Sequence, residues 1–326
     1  MYIKNKKKTV TALGTERRAY FDGIGKPVQS ASNLEEAITM AGLNYEIKKI
    51  PVYFTKPKED VYGFPMGEEY KRCRNKWATV RTDTYEDLGI VGKDYTLLQN
   101  REAFDFLDSM TSEASFESAG SWGPTGAKSF ITMSTEKMKI LGDEFQPYIL
   151  FTNAADGTGA VKAMFTPMRV GSSSCYVRHT SDIDNEIRVI HKKSLKQRME
   201  AAKLILLQHS NYLEAIKTEM ELMAKTRFTD AEFKDLVRTL FPTVEGMSDL
   251  AVLRNDEMIK SIIDSYNQAD LAAYENTAYR AVQAIADYES HLPAFRTTKN
   301  LPYKNINNVI KGMPLTNKVA NALIGG

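Results

Sequence analysis

"LKQRMEAAKLILLQHSNYLEAIKTEMELM" fills residues 195–223, and the spacing of its apolar side chains decides how the chain is organised. Leu195, Met199, Ala202, Leu206, His209, Leu213, Ile216, Met220 and Met223 alternate steps of four and three. This is the seam of a long helix that packs against a partner along its length. Unbroken, it is roughly 45–50 Å long at 1.5 Å per residue. Leu271, Tyr274, Ala278, Ala281, Ile285 and Tyr288 repeat the pattern downstream, so an antiparallel helical pair is the simplest arrangement. Between them, "FTDAEFKDLVRTLFP" predicts a helix opened by a Thr229–Glu232 capping box, stapled by Phe228 on Phe233 and stopped by Pro242.

Upstream of residue 190 the period changes. "NLEEAITMAGLN" has Asn33 as N-cap, Glu36 completing a capping box and Gly42 as a stop, which predicts a short helix. "YEIKKIPVYF" (45–54) reads as a strand whose Pro51 argues for an edge or a bulge. "WATVRTD" and "LGIVGKDYTLL" follow as strands joined by a polar turn near Tyr85. "NREAFDFLDSM" returns to helical spacing, with Asn100 as cap and Phe104, Leu107 and Met110 facing inward. "ASFESAGSW", "KSFITMSTE", "PYILFTN" and "AVKAMFT" then suggest an antiparallel meander with a turn at Asp156-Gly157. The expected fold is α+β. A β-rich part over 1–190, with an antiparallel or mixed sheet and short helices, is followed by a helical region over 191–326.

A chain of 326 residues, 43% hydrophobic and 26% charged, is long enough for a large core and has a soluble composition. No apolar run approaches the roughly 20 residues of a membrane helix, and the lysine-rich start lacks the core of a signal peptide, so a cytoplasmic location is expected. The two cysteines, Cys73 and Cys175, form no CxxC pair and read as reduced thiols.

Catalytic patterns are incomplete. "GSWGPTGAKSF" (120–130) fails the phosphate-loop spacing and joins two strands, which makes it a hairpin turn. "GIGKP" is interrupted by Pro27. The four histidines show no HExxH arrangement, and His209 on the apolar seam reads as a hydrogen-bonded packing residue. Asp182, Asp184 and Glu186 alternate beside His179 as a magnesium site does, and a solvated loop or edge strand accounts for them as well. "GSSSC" lacks the second glycine of a nucleophile elbow. The expectation is therefore a protein that is not an enzyme and uses no cofactor or metal.

Charge is the stronger signal. The net charge of +2 hides basic clusters in "KNKKK" near the start, in "YKRCRNK" (70–76) and from Arg169 to Lys203. The last of these begins inside "MFTPMRVGSSSCYVRHT" (164–180), and acidic residues gather later, around Glu214–Glu221 and Asp256–Glu289. Arg169, Arg178, Arg188, Lys192, Lys193, Lys196 and Arg198 are the candidate phosphate contacts, with Tyr176 as a base-stacking platform. Lys192, Lys193 and Lys196 stand at the start of the long helix, where the dipole disfavours cations and free N–H groups favour an anion. A solvated basic face is the alternative.

"NLEEAITMAGLNYEIKKIPVY", "VRTDTYEDLGIVGKDYTLLQNREAFDFLD", "FTNAADGTGAVKAMFTPMRV" and "IRVIHKKSLKQRMEAA" together resemble the phage/plasmid-like proteins that carry domain of unknown function 932. Asp94, Tyr95, Gln99 and Asn100 match a Y-x-x-x-Q-N segment, Pro167, Arg169 and Val170 a T-P-x-R-V segment, and His191 the histidine of I-R-I-x-H. His191 joins the candidate contacts on that basis. After Val170 this chain has "GSSSCY" where members often carry cysteine and asparagine, so the likeness supports no role for Cys175. The resemblance implies mobile-element biology in a bacterial cytoplasm and supplies no activity. The expected function is binding or annealing of single-stranded DNA in recombination or replication by a homo-oligomer, with no membrane partner. A host-interaction or defence-evasion protein acting through protein contacts is the alternative.

Overall fold

The computed structural model describes residues 25–123, 125–159, 161–169, 176, 186–188, 195–291 and 308–324. The fold is α+β, with antiparallel sheets in the first half and helices in the second.

The larger sheet is built from β1 (Lys26–Pro27), β5 (Ser115–Trp122), β6 (Lys128–Ser134), β7 (Met138–Ile140), β8 (Asp143–Ala154), β9 (Lys162–Arg169) and β10 (Glu186–Arg188). Its order is β1-β5-β6-β8-β9-β10, with β7 paired to β8. The meander expected from the sequence is therefore present, and Gly123 and Thr125 to Ala127 of the glycine-rich stretch lie between β5 and β6, followed by a strand. Asp156 holds the β8–β9 turn by accepting from the Thr158 N–H at 2.9 Å and its hydroxyl at 2.6 Å.

Register places Ile131, Met133, Ile149, Phe151 and Phe165 on one face of this sheet. Helical segments cover that face. Helix α1 (Leu34–Ala41) is capped by Asn33, which accepts from the Glu36 N–H at 3.0 Å, and it ends at Gly42 with φ 73°. Helix α2 (Asn100–Phe104) continues as a 3₁₀ segment, Asp105–Met110, and together they bury Phe104, Leu107 and Met110 as the sequence predicts. Phe106 meets Phe151 edge-on at 5.4 Å.

Helix α3 (Leu195–Lys225) is the long helix. Ala202, Ile205, His209, Tyr212, Ile216, Met220 and Met223 are buried, whereas Leu206 and Leu213 sit at the flank. The predicted period holds, but the stripe is wider than a coiled-coil seam because it faces a sheet as well as helices. The Phe165 ring lies 5.4 Å from His209 and 5.8 Å from Tyr212.

Helices α4 (Asp230–Leu240), α5 (Asp249–Tyr266), α6 (Ala278–Ser290) and α7 (Pro314–Ile324) follow among the described residues of the helical half. The α4 capping box forms as predicted, Thr229 Oγ1 donating to Glu232 at 2.6 Å. The expected long pair does not extend over 271–288. Leu271 and Tyr274 fall in a 3₁₀ segment, Asn276 takes a left-handed φ of 55°, and Thr277 bridges Arg227 before α6 begins. Their side chains keep helical spacing across a break because both sides of the turn face inward. The short α6 packs between α3, α5 and α7.

Buried side chains from Val28 to Ala320 join one cluster, so strand-rich and helix-rich parts share a core. A second sheet, β2 (Ile47–Glu59), β3 (Pro65–Arg81) and β4 (Asp87–Gly92), docks on the end of the first. Thr79 Oγ1 donates to the Ala155 carbonyl at 2.8 Å and Thr125 Oγ1 to that of Leu88 at 3.0 Å. At Gly89 a β-carbon would lie 2.8 Å from the Asp156 β-carbon, so only glycine allows this approach.

Candidate nucleic-acid interface

β2 and β3 form a hairpin that outruns the body of the protein. Ile47 to Pro51 pair with Arg81 to Trp77 at the docked base, and Tyr53 to Pro57 pair with Arg72 to Glu68 beyond it. Residues 53–59 alone span roughly 20 Å at about 3.4 Å per residue, and all seven are exposed. Pro51 lies at the edge and beside the irregularity that its sequence implied.

The break in register shapes the arm. Between the Pro51–Trp77 and Tyr53–Arg72 pairs, β2 contributes one residue and β3 four, and Asn75 turns the backbone through φ 59°. Because directly opposed residues share a face, Pro51, Tyr53 and Thr55 align with Trp77, Arg72 and Tyr70, and Lys49, two residues before Pro51, lies on the same face. The result is a row of alternating rings and cations. Lys49 Nζ lies 5.7 Å and the Arg72 guanidinium 4.8 Å from the Trp77 centroid, within cation–π range. Tyr70, 78% exposed, continues the row outward.

Not every cation is available. Lys49 donates to the carbonyls of Lys93 and Tyr95, both at 2.9 Å. Arg81 makes two bonds to Asp83, of 3.0 and 2.7 Å, which raise its pKa and hold the Asp83 carboxyl below its usual range. On the opposite face Lys71 pairs with Glu69 at 3.2 Å. Among the described residues, no carboxylate pairs with Lys56, Lys58, Arg72, Arg74 or Lys76, and all five are exposed. Residues 47–81 hold nine Lys/Arg against four Asp/Glu, which gives the arm an anion-attracting field.

The central residues expected to bind phosphate are distributed differently. Arg169 ends β9 opposite Phe145, while Arg188 pairs with Lys162 at the other end of the same strand. Seven residue steps separate the two ends, roughly 23 Å, so these two arginines do not cluster. Lys196 and Arg198 are in the first turns of α3. Arg178, His191, Lys192 and Lys193 lie outside the described residues, as do Asp182 and Asp184. Tyr176 corrects an expectation. Its ring is 1% exposed within the main core and its N–H donates to the Pro167 carbonyl at 3.0 Å, so bases cannot stack on it.

The Y-x-x-x-Q-N segment proves to be a brace that positions the arm. Tyr95 OH donates to the Ala154 carbonyl at 2.7 Å. The Gln99 amide bonds the Ile47 N–H and carbonyl, each at 2.8 Å, as a neighbouring strand would. Asn100 is buried and does not cap the helix; Gln99 is the N-cap, its N–H donating to Glu102 at 3.1 Å. Asn100 donates to the Leu43 carbonyl and accepts from Ser129 at 2.7 Å and Asn153 at 3.3 Å. His209 is a buried packing residue, as expected, whose pKa burial pushes down to about 4; its Nε2 has no hydrogen-bond partner among the described residues. Among the described residues no group of three or more His, Cys, Asp and Glu is placed to hold a metal, and no helix is long and apolar enough to cross a membrane.

Residues 87–309 match the family described as Domain of unknown function (DUF932), and the chain belongs to that family. The matched span opens at the first residue of β4 and leaves the β2–β3 arm ahead of it. No curated protein and no solved structure matches the chain.

Proposed function

We propose that this chain is a non-catalytic nucleic-acid-binding protein that holds single-stranded DNA along the β2–β3 arm. It serves strand annealing in recombination or replication of a mobile element, in the bacterial cytoplasm and as a homo-oligomer. The observation that carries this reading is the row of half-buried Trp77 with exposed Arg72, Tyr53 and Tyr70, flanked by Arg74 and Lys76, which pair with no carboxylate among the described residues. Rings give every base a stacking face without reading its sequence, and the cations follow the phosphates. Successive rungs on one face of a strand are about 6.8 Å apart. That is twice the roughly 3.4 Å rise of a duplex strand, so the row suits a strand drawn out of its helical stack. Arg169, Lys192, Lys193 and the other central cations are additional contacts under this proposal.

The test is anisotropy of a labelled oligothymidylate titrated with protein at several salt concentrations. Arg72→Glu with Arg74→Glu is expected to weaken binding more than tenfold at low salt. Losing two phosphate contacts flattens the log–log salt slope by about 1.4. Arg101→Glu, on α2 and paired with Glu35 at 3.3 Å, is expected to change nothing. Absence of binding by micromolar wild-type protein at low salt, or equal loss in the control, overturns the proposal.

One observation favours a second reading, a host-interaction protein. Leu250 and Leu253 are both exposed, three residues apart on α5 beside Asp249, Asp256 and Glu257. Under that reading, Leu250→Ser with Leu253→Ser abolishes capture of a bacterial partner, and the arm variants leave it intact.

A further inference from the structure

The tip of the arm differs in chemistry from its stem. From Val61 to Gly67 there is no charge, and Val61 is 93% and Tyr62 82% exposed, with Phe64 and Met66 also open to solvent. The turn beneath them is ordered by the Asp60 carboxylate and by backbone hydrogen bonds. Asp60 Oδ1 accepts from the N–H groups of Tyr62 at 2.9 Å and Phe64 at 2.8 Å. The Asp60 N–H donates to the Phe64 carbonyl at 2.9 Å and the Gly63 N–H to the Asp60 carbonyl at 3.1 Å. Gly63 takes φ 84°, and a β-carbon there would meet nothing within 4 Å, so its glycine answers to conformation and not to crowding. Apolar side chains are thus carried on a pre-formed turn, well beyond the rest of the fold.

Ordered apolar side chains in water at the end of a cationic hairpin call for an apolar surface adjoining a polyanion. Nucleic-acid bases beside their phosphates have that combination. A second arm does not, because two stems each carrying nine Lys/Arg against four Asp/Glu repel. Phe, Met and Pro are also the side chains with which proteins part stacked base steps, and Phe64, Pro65 and Met66 are consecutive at the tip. We infer that the tip is a base-parting wedge. Phe64 and Met66 enter between neighbouring bases at the junction where a duplex opens into the single strand lying along the stem. This inference rests on the nucleic-acid reading above and adds a second substrate feature, a duplex–single-strand junction.

The experiment uses the full chain and a forked DNA with 2-aminopurine at the junction, whose fluorescence rises when its neighbours unstack. Wild-type protein is expected to raise that signal at least twofold, with a smaller rise when the probe sits deep in the duplex. Phe64→Ser with Met66→Ser is expected to abolish the rise while binding oligothymidylate within twofold of wild type, and Phe64→Leu is expected to retain most of it. Because these residues lie outside the core, an unchanged melting curve verifies the fold of each variant. An undiminished rise in the double variant overturns the wedge while the stem reading stands. Loss of oligothymidylate binding by wild-type protein removes both. A double variant that changes sedimentation from oligomer to monomer with the rise intact overturns the wedge in favour of docking on a second copy.

Discussion

Arg72 lies over the Trp77 ring at 4.8 Å although the four residues between them on β3 have no partners on β2. The interruption brings a cation and a ring from separate ladder segments into one row, which a continuous strand would place on alternating faces.

Trp77→Ala removes the platform under Arg72. Single-stranded DNA affinity is expected to fall about 5- to 150-fold, corresponding to about 1–3 kcal/mol for one base stack. Trp77→Phe should recover most of the loss. Anisotropy on a labelled oligonucleotide, with circular dichroism as the folding control, measures both.

Gly89→Ala drives a β-carbon into the backbone of Asp156. The added carbon should cost about 1–3 kcal/mol and loosen the small sheet from the large one. Faster amide exchange in β4 and a lower melting temperature are the expected readouts; unchanged values of both would mean that the two sheets do not touch there.

His209 is buried against Phe165, and desolvation lowers its pKa from 6.5 to about 4. The unfolded chain therefore binds a proton that the folded chain does not between these values. Stability from this residue is full above pH 6.5 and is lost as pH falls toward 4, by about 3 kcal/mol at most. His209→Phe should flatten that part of the urea-midpoint profile between pH 7 and 4.

Glu289 ties α7 to α6. Its buried carboxylate accepts from the Leu315 N–H at 3.0 Å, the Thr316 N–H at 2.7 Å and the Thr316 hydroxyl at 2.6 Å. Glu289→Ala leaves those donors unpaired at the start of a helix and should destabilise by about 2–3 kcal/mol. Amide exchange over 314–324 is expected to quicken more than in β8.

Much of this architecture is legible in the sequence where the deciding chemistry is local. Asn33 with Glu36 and Thr229 with Glu232 cap helices through partners three residues away, and Asp156-Gly157 turns a strand through its own carboxylate. Asn100 looks like a cap in the sequence because its true partners, Ser129 and Asn153, arrive only through the tertiary fold. Tyr176 misleads in the same way, since a ring within a polar stretch gives no sign that it ends in the core. The outer half of β3 is hidden for another reason. A strand with neither face buried shows no alternation of apolar and polar residues, and "YKRCRNK" therefore registers as charge alone. The turn chemistry at Asp60 and Gly63 between two β-prone stretches is the one local signal of the hairpin.

A long free strand edge standing in water invites other chains to extend it into fibrils. Among the described residues β2 forms such an edge, yet Pro51 and Pro57 each withhold an N–H donor and the Gln99 amide closes the end at Ile47. Lysines at 48, 49, 56 and 58 add mutual repulsion along the same edge. Along β2, the hairpin can therefore reach into solvent with its outer edge guarded against pairing with other chains.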